Sequence, residues 1–168
     1  MNYYDELTKA MTMIGEVPNS LFIGQSVRFG GQAMKRSLVS VPNDRLIEFP
    51  VAEDCQMGFC TGLAMTGFLP VCIYPRIDFM LLCLNQLVNH LDKMDNPPKV
   101  IIRTSVGSNN EKWNAGVQHT NDFTGAFSLM LKNVGVLELW KAEDIVPAYQ
   151  WATEREGSTI LIERVSKY

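Results

Sequence analysis

The chain has 168 residues, of which 46% are hydrophobic, and a formal net charge of -3 at pH 7. This length and composition predict one well-buried domain rather than two. The basic residues are scattered along the chain, so neither nucleic acid nor an anionic membrane surface is an expected partner.

Targeting and redox signals are weak. The N-terminal stretch has acidic residues and no continuous apolar core, unlike a secretory signal, and the most apolar region, residues 59–74, is too broken to span a membrane. We therefore expect a soluble protein of the cytoplasm.

The cysteines form no C-x-x-C pair and lie in largely apolar segments, so all of them are predicted to be buried free thiols. They are Cys55, Cys60, Cys72 and Cys83.

Strands and helices alternate along the chain. The predicted helices cover residues 3–14, a small-residue helix headed by Glu53, 77–94, 120–131 and a segment within 142–155, with Pro147 in the first turn of the last one. The predicted strands cover residues 21–24, 46–49, 69–74, 99–103, 134–137 and 159–163. Residues 33–41 are expected to form a loop with a helical turn, and 104–118 an excursion over the surface. This alternation predicts a three-layer α/β/α sandwich with a mainly parallel sheet.

Glu53 stands where the strand 46–49 gives way to the next helix, the position at which an open parallel sheet presents its ligand-binding groups. The simpler interpretation is a helix-end carboxylate that is favoured by the helix dipole. Gly58, Gly62 and Gly67 each cost about 1 kcal/mol against alanine inside a helix. They therefore indicate either tight packing or the close approach of another backbone or a flat ligand.

Several enzyme classes are disfavoured because their sequence motifs do not occur. The sequence has no Walker-type loop, no H-E-x-x-H and no G-x-S-x-G. His90 and His119 are its only histidines, so a zinc site built by the protein is not expected. We assign His90, inside the predicted helix 77–94, to packing or to a subunit contact.

Four segments resemble one family in the same order. The run from Glu53 to Gly67, E-D-C-Q-M-G-F-C-T-G-L-A-M-T-G, resembles the glutamate-headed helix of the pyrimidine-binding domain in thiamine-diphosphate enzymes, in particular the beta subunit of 2-oxoacid dehydrogenases. Residues 21–31 resemble that family's early strand and the loop after it. Phe79 with Asn85-Gln86 resembles an aromatic residue and a helix after a later strand, and residues 116–120 resemble the loop with the active-site histidine.

The resemblance implies roles for four residues. Glu53 would bond a ring nitrogen of the cofactor's aminopyrimidine and so help its exocyclic nitrogen to remove a proton from the thiazolium ring. Phe79 would stack on the pyrimidine, and Val51 would line the pocket through its backbone or side chain. His119 would contact substrate and intermediates by proton transfer or hydrogen bonding. Taken singly, each could instead be an ordinary core or surface residue.

The resemblance also implies a partner. The sequence lacks the family's Gly-Asp-Gly metal-diphosphate motif. Residues 1–168 are thus expected to be a single pyrimidine-binding domain, without the diphosphate-binding and C-terminal domains, in a hetero-oligomer or around a homodimer core. The partner chain would supply the ligands of Mg²⁺. The expected function is the pyrimidine-binding subunit of a split thiamine-diphosphate enzyme that acts on a 2-oxo acid or ketone.

An alternative comes from Gln25-Ser26, which stand where the family usually has an acidic residue. Their presence favours a noncatalytic relative that keeps the fold as an interaction or regulatory module.

Overall fold

Six parallel strands form the central sheet in this computed structural model, which describes residues 1–30, 33–108 and 115–168. The strands are β1 (Ser20–Gly24), β2 (Leu46–Glu48), β3 (Leu69–Ile73), β4 (Ile101–Val106), β5 (Gly135–Leu139) and β6 (Thr159–Arg164). Their order across the sheet is β2-β1-β3-β4-β6-β5, and every neighbouring pair is parallel. All carboxyl ends therefore point to the same edge.

Helices cover both faces of this sheet. They are α1 (Tyr3–Gly15), α2 (Glu53–Met65), α3 (Thr124–Met130) and α4 (Ala142–Glu154). On one face α1 packs on α4, and on the other α2 and α3 share an apolar layer with two irregular helical segments, Ile77–Cys83 and Asn85–Leu91. The predicted three-layer α/β/α sandwich is confirmed.

Burial on both faces explains why β3 is a continuous apolar run. In β3, Val71 and Ile73 lie in the layer of α1 and α4, whereas Cys72 lies in the layer of α2. Successive side chains of a strand point to opposite faces, so a strand covered on both sides favours apolar residues on both of its faces. None of the helices in the described ranges has the length and apolar character needed to cross a membrane.

The predicted single helix at residues 77–94 is wrong. The chain forms a 3₁₀-helix at Ile77–Cys83, followed by a π-helical segment at Asn85–Leu91. In the first, the buried residues Ile77, Met80 and Cys83 recur every three positions, as the geometry of a 3₁₀-helix requires. A pattern that changes period in this way resembles one helix with apolar residues around most of its circumference.

The predicted surface excursion at residues 104–118 is also wrong at its start. Thr104, Ser105 and Val106 are buried residues of β4 that pair with β6. Their partly polar composition resembles a loop, but the backbone pairing and the helical layers enclose them. Residues 109–114 of the predicted excursion, and residues 31–32 in the earlier loop, lie outside the described residues.

Three smaller predictions are corrected. Pro147 is the sixth residue of α4, beyond the first turn, where it removes one backbone N–H from the helix ladder. Gly67 lies after the end of α2 with φ 91, so it terminates the helix. Cys55 is exposed because it lies on the outer side of α2, whereas Cys60, Cys72 and Cys83 are buried free thiols as predicted.

Gly24 at the end of β1 allows the backbone of β1 to lie closer to the backbone of β3 than any residue with a side chain would permit. A Cβ atom there would lie 2.5 Å from the carbonyl oxygen of Ile73 on the neighbouring strand. At Gly62, on the exposed side of α2, an added Cβ would meet nothing within 4 Å.

We expect Gly24→Ala to lower the free energy of unfolding by about 1–3 kcal/mol, because two backbones would be forced apart. Gly62→Ala is the matched control, and it should raise that free energy by about 0.5–1 kcal/mol through helix propensity. Urea unfolding followed by circular dichroism measures both. Equal shifts of the two midpoints would contradict the packing argument.

Candidate active site at the carboxyl edge of the sheet

The candidate site residues lie on connections that leave the carboxyl ends of the strands. Val51 and Glu53 follow β2, Phe79 follows β3, and His119 lies on the connection after β4. This is the edge at which open α/β sheets bind their ligands.

Glu53 is the first residue of α2 and is 9% exposed. Ala52, which precedes it, provides no side-chain cap, so the first turn relies on the carboxylates of Glu53 and Asp54 to balance its positive end. In the ranges that the structure describes, no hydrogen bond or ion pair engages the Glu53 carboxylate. The group is thus held at the edge of the core with its oxygens available.

Two hydrogen bonds fix the start of α2 on the sheet. The buried amide of Gln56 donates to the carbonyl oxygen of Ile73 at 3.1 Å, at the end of β3. The Tyr74 hydroxyl donates to the backbone carbonyl of Glu53 at 2.9 Å. Burial raises the pKa of Tyr74 far above its usual value, which keeps the hydroxyl protonated as a donor.

Glu48 is a functional candidate that the sequence interpretation missed. It ends β2, and its carboxylate accepts the backbone N–H groups of Ser26 at 2.5 Å and Arg28 at 2.8 Å. Ser26 has φ 57, in the left-handed region, and these bonds hold it there. A carboxylate therefore does bind the loop at Gln25-Ser26, although it comes from the neighbouring strand. The sequence feature that could have identified Glu48 is its position as the single charged residue in the otherwise apolar run L-I-E-F.

Phe79 and His119 are in direct contact. Their ring centroids are 5.4 Å apart at an interplanar angle of 79°, an edge-to-face arrangement. Phe79 lies half-buried in the 3₁₀-helix after β3, and His119 ends a short 3₁₀ turn, Val117–His119. The Nδ1 atom of His119 is buried and has no hydrogen-bond partner within the described residues. The structure thus brings together two residues that the sequence could only place on separate segments.

Val51 and His90 remain apart from this contact. Val51 lies on the loop just before α2 and is 69% exposed, so its role in lining the pocket stays a prediction. His90 is exposed on the π-helical segment. The close approach predicted at Gly58 is made by a side chain, because Gln86 of that segment lies 3.5 Å from the position of an added Cβ.

The residues present fit an aminopyrimidine ring. Glu53 offers an unengaged carboxylate for a ring nitrogen, Phe79 offers a partly exposed aromatic ring, and His119 offers an unpaired nitrogen. The described parts of the chain contain no group of three or more His, Cys, Asp and Glu side chains that could hold a metal ion.

The chain belongs to the family described as "Transketolase, pyrimidine binding domain", whose sequence model matches residues 2–168. This family is dependent on thiamine diphosphate.

Among its relatives is the beta subunit of acetoin:2,6-dichlorophenolindophenol oxidoreductase from Cupriavidus necator, 29% identical over 136 residues, which cover 73% of this chain and 39% of that protein. Another is the pyruvate dehydrogenase E1 component subunit beta of Cyanidium caldarium, 32% identical over 98 residues, which cover 56% of this chain and 30% of the relative. The chain thus spans well under half the length of these relatives.

Solved structures share the fold at low identity. The transketolase of Campylobacter jejuni has a TM-score of 0.78 and 16% identity, over 95% of this chain and 25% of that one. A structure described as a split gene transketolase, inactive beta4 tetramer, has a TM-score of 0.71 and 17% identity, over 96% of this chain and 51% of the other. At this identity the likeness confirms the fold.

We expect Tyr74→Phe to lower the free energy of unfolding by about 1 kcal/mol, because the Glu53 carbonyl loses its donor. Amide hydrogen exchange in the first turn of α2 should become faster. Tyr149→Phe is the control, since it removes a buried hydroxyl that donates to Glu163 at 3.0 Å in the layer of α1 and α4. Tyr149→Phe should lower the free energy of unfolding without a specific change in amide hydrogen exchange in α2. Unchanged exchange in Tyr74→Phe would show that the hydroxyl does not anchor the helix.

Proposed function

We propose that this chain is the pyrimidine-binding subunit of a split thiamine-diphosphate enzyme, which acts on a 2-oxo acid or a related ketone once a diphosphate-binding partner is bound. The observation that carries the proposal is the contact of Phe79 with His119 at the sheet edge where Glu53 heads α2. The family membership and the beta-subunit relatives support it.

Bound thiamine diphosphate supplies a nucleophilic carbon and an electron sink for breaking bonds next to a carbonyl carbon. The chain's own residues bind, orient and move protons. Glu53 holds a proton at its carboxylate, shared with a pyrimidine nitrogen, and Phe79 covers one face of the ring and excludes water. His119 would exchange a hydrogen bond or a proton with a substrate oxygen.

The diphosphate and Mg²⁺ are assigned to the partner chain. Relatives of this chain are subunits by name, and a structural neighbour is described as a split gene transketolase. The site here offers groups suited to the pyrimidine and the substrate. A partner of matching chemistry would carry carboxylate and carbonyl oxygens, which Mg²⁺ prefers. The cytoplasmic location stays a prediction.

A second candidate is a noncatalytic relative that acts as an interaction or regulatory module. It is favoured by Gln25-Ser26. The carboxylate of Glu48 beside this loop uses both of its oxygens to accept backbone N–H groups of the loop. A neighbouring gene that encodes a chain with a Gly-Asp-Gly motif would favour the enzyme, and its absence would favour the module.

We expect the isolated chain to bind thiamine diphosphate weakly, because the diphosphate and its metal supply much of the binding free energy. Calorimetric titration of the chain with the cofactor, with and without Mg²⁺, measures this. Titration of the chain with its partner present should show tight, magnesium-dependent binding. The same tight binding by the chain alone would contradict the split site.

We expect Glu53→Gln, in the complex with the partner, to slow deuterium exchange at the thiazolium carbon by roughly 100-fold or more. Glutamine keeps the size and one hydrogen bond but cannot share a proton with the ring, so the loss falls on the chemical step rather than on binding. Exchange is measured by NMR at saturating cofactor.

Asp54→Asn is the matched control, because Asp54 is the exposed neighbour in the same helical turn and loses the same charge. It should leave exchange unchanged. Equal exchange rates in wild type and Glu53→Gln would mean that Glu53 is only a helix-end carboxylate, and the module would then be preferred.

A further inference from the structure

One amide links the segments that carry Phe79 and His119. Nδ2 of Asn121 donates to Oδ1 of Asp78 at 2.6 Å and to the backbone carbonyl of Val117 at 3.0 Å. Asp78 immediately precedes Phe79, and Val117 begins the turn that ends at His119. Both N–H groups of the amide are thus used, one on each segment.

The Asp78 side of this link is firmly anchored. Ser105, a buried residue near the carboxyl end of β4, donates from its hydroxyl to the carbonyl oxygen of Pro75 at 2.7 Å. The backbone N–H of Phe79 donates to Arg76 at 3.2 Å, and Ile77 packs in the core. The 3₁₀-helix that presents Asp78 and Phe79 is therefore attached to β4 at its start and to the apolar core through Ile77.

Local hydrogen bonds close the turn that ends at His119. The His119 N–H donates to the carbonyl of Gly116 at 3.1 Å, and the Thr120 hydroxyl donates to the same carbonyl at 3.4 Å. Both bonds lie within the turn itself. The bond from Asn121 to Asp78 is a short, charge-assisted contact that joins this turn to the segment of Phe79.

In the part of the chain that the structure describes, two atoms of this cluster are buried without a hydrogen-bond partner, namely Oδ2 of Asp78 and Nδ1 of His119. Such atoms are few in native proteins and need an explanation, because burial without a partner is unfavourable. Asn121 itself is exposed and Asp78 half-buried, so the pair adds little to the core. Orientation of a functional group explains both observations better than stability does.

We propose that Asp78 is a positioning residue, which acts through Asn121 to hold the His119 imidazole against Phe79 in the active geometry. The inference rests on the proposed function for the role of His119 in the reaction. The link between the two segments can be tested without the cofactor or the partner.

The first test uses the imidazole NMR signals of the free chain. The chain has two histidines, so His90→Gln assigns both sets of signals. The edge-to-face contact with Phe79 should displace the His119 signals from ordinary positions, and Phe79→Leu should abolish the displacement. Asp78→Ala and Asn121→Ala should each reduce it by more than half.

Two further variants sharpen this test. Asp78→Asn keeps an acceptor oxygen for Asn121, so it should retain most of the displacement. Asn89→Ala removes an exposed side-chain hydrogen bond of 3.1 Å to Asn85 on the neighbouring segment, and it should leave the His119 signals unchanged. Thermal unfolding of each variant checks that the fold is kept.

The second test uses the complex with the diphosphate-binding partner. Asp78→Ala and Asn121→Ala should lower kcat by roughly 10- to 100-fold, because misplacement of a reacting group by about 1 Å can cost that much. The Kd for thiamine diphosphate should change less than about twofold, since Phe79 stays on its anchored helix. Asp78→Asn should restore most of kcat.

The outcomes separate this inference from the proposed function. Unchanged His119 signals in both alanine variants would overturn the inference, as would full kcat of Asp78→Ala in an active complex. Loss of cooperative unfolding in these variants would overturn it too, because the pair would then be a folding element. If the wild-type complex shows no thiamine-dependent turnover, the proposed function fails, and the NMR signals alone decide whether Asp78 positions the histidine.

Discussion

The site depends on how closely α2 can approach the ends of β1 and β3. Gly24 lets the backbone of β1 lie against Ile73, and the amide of Gln56 then reaches the Ile73 carbonyl from the first turns of the helix. Tyr74 adds a bond to the carbonyl of Glu53 itself. The depth and direction of the Glu53 carboxylate follow from these contacts, because a helix held at its first turn cannot rotate or slide.

The opposite layer provides a rigid support. Arg103 of β4 and Glu163 of β6 form a fully buried ion pair, with Nε of the arginine 2.5 Å from the carboxylate, and the hydroxyls of Tyr149 and Tyr168 donate to the same carboxylate. Removal of one partner from a pair of this kind costs about 3–5 kcal/mol, since the other charge stays buried. Both oxygens of this carboxylate accept hydrogen bonds, although Nη1 of Arg103 is buried without a partner among the described residues, as are Oδ2 of Asp78 and Nδ1 of His119 at the site edge.

Irregular helical geometry presents the aromatic residue of the site. In the segment Ile77–Cys83 the buried positions recur every three residues, so Phe79 falls between two of them and stays half-exposed. Irregular helices of the 3₁₀ and π types often occur at functional sites, because they turn side chains that a regular helix would direct elsewhere. Here the departure from regular α-helical geometry allows Phe79 to contact His119.

The sequence by itself determined the elements whose signals are local: the alternation of apolar strands and helices, the parallel three-layer sandwich, and Glu53 at the start of α2. It also placed Phe79 and His119 on the right connections through resemblance. Only the tertiary structure decided that these two rings touch, that Glu48 closes the loop at Ser26, and that residues 77–91 are not one α-helix. Periodicity reports burial along one segment, whereas these features depend on contacts between segments distant in the chain, which no local pattern encodes.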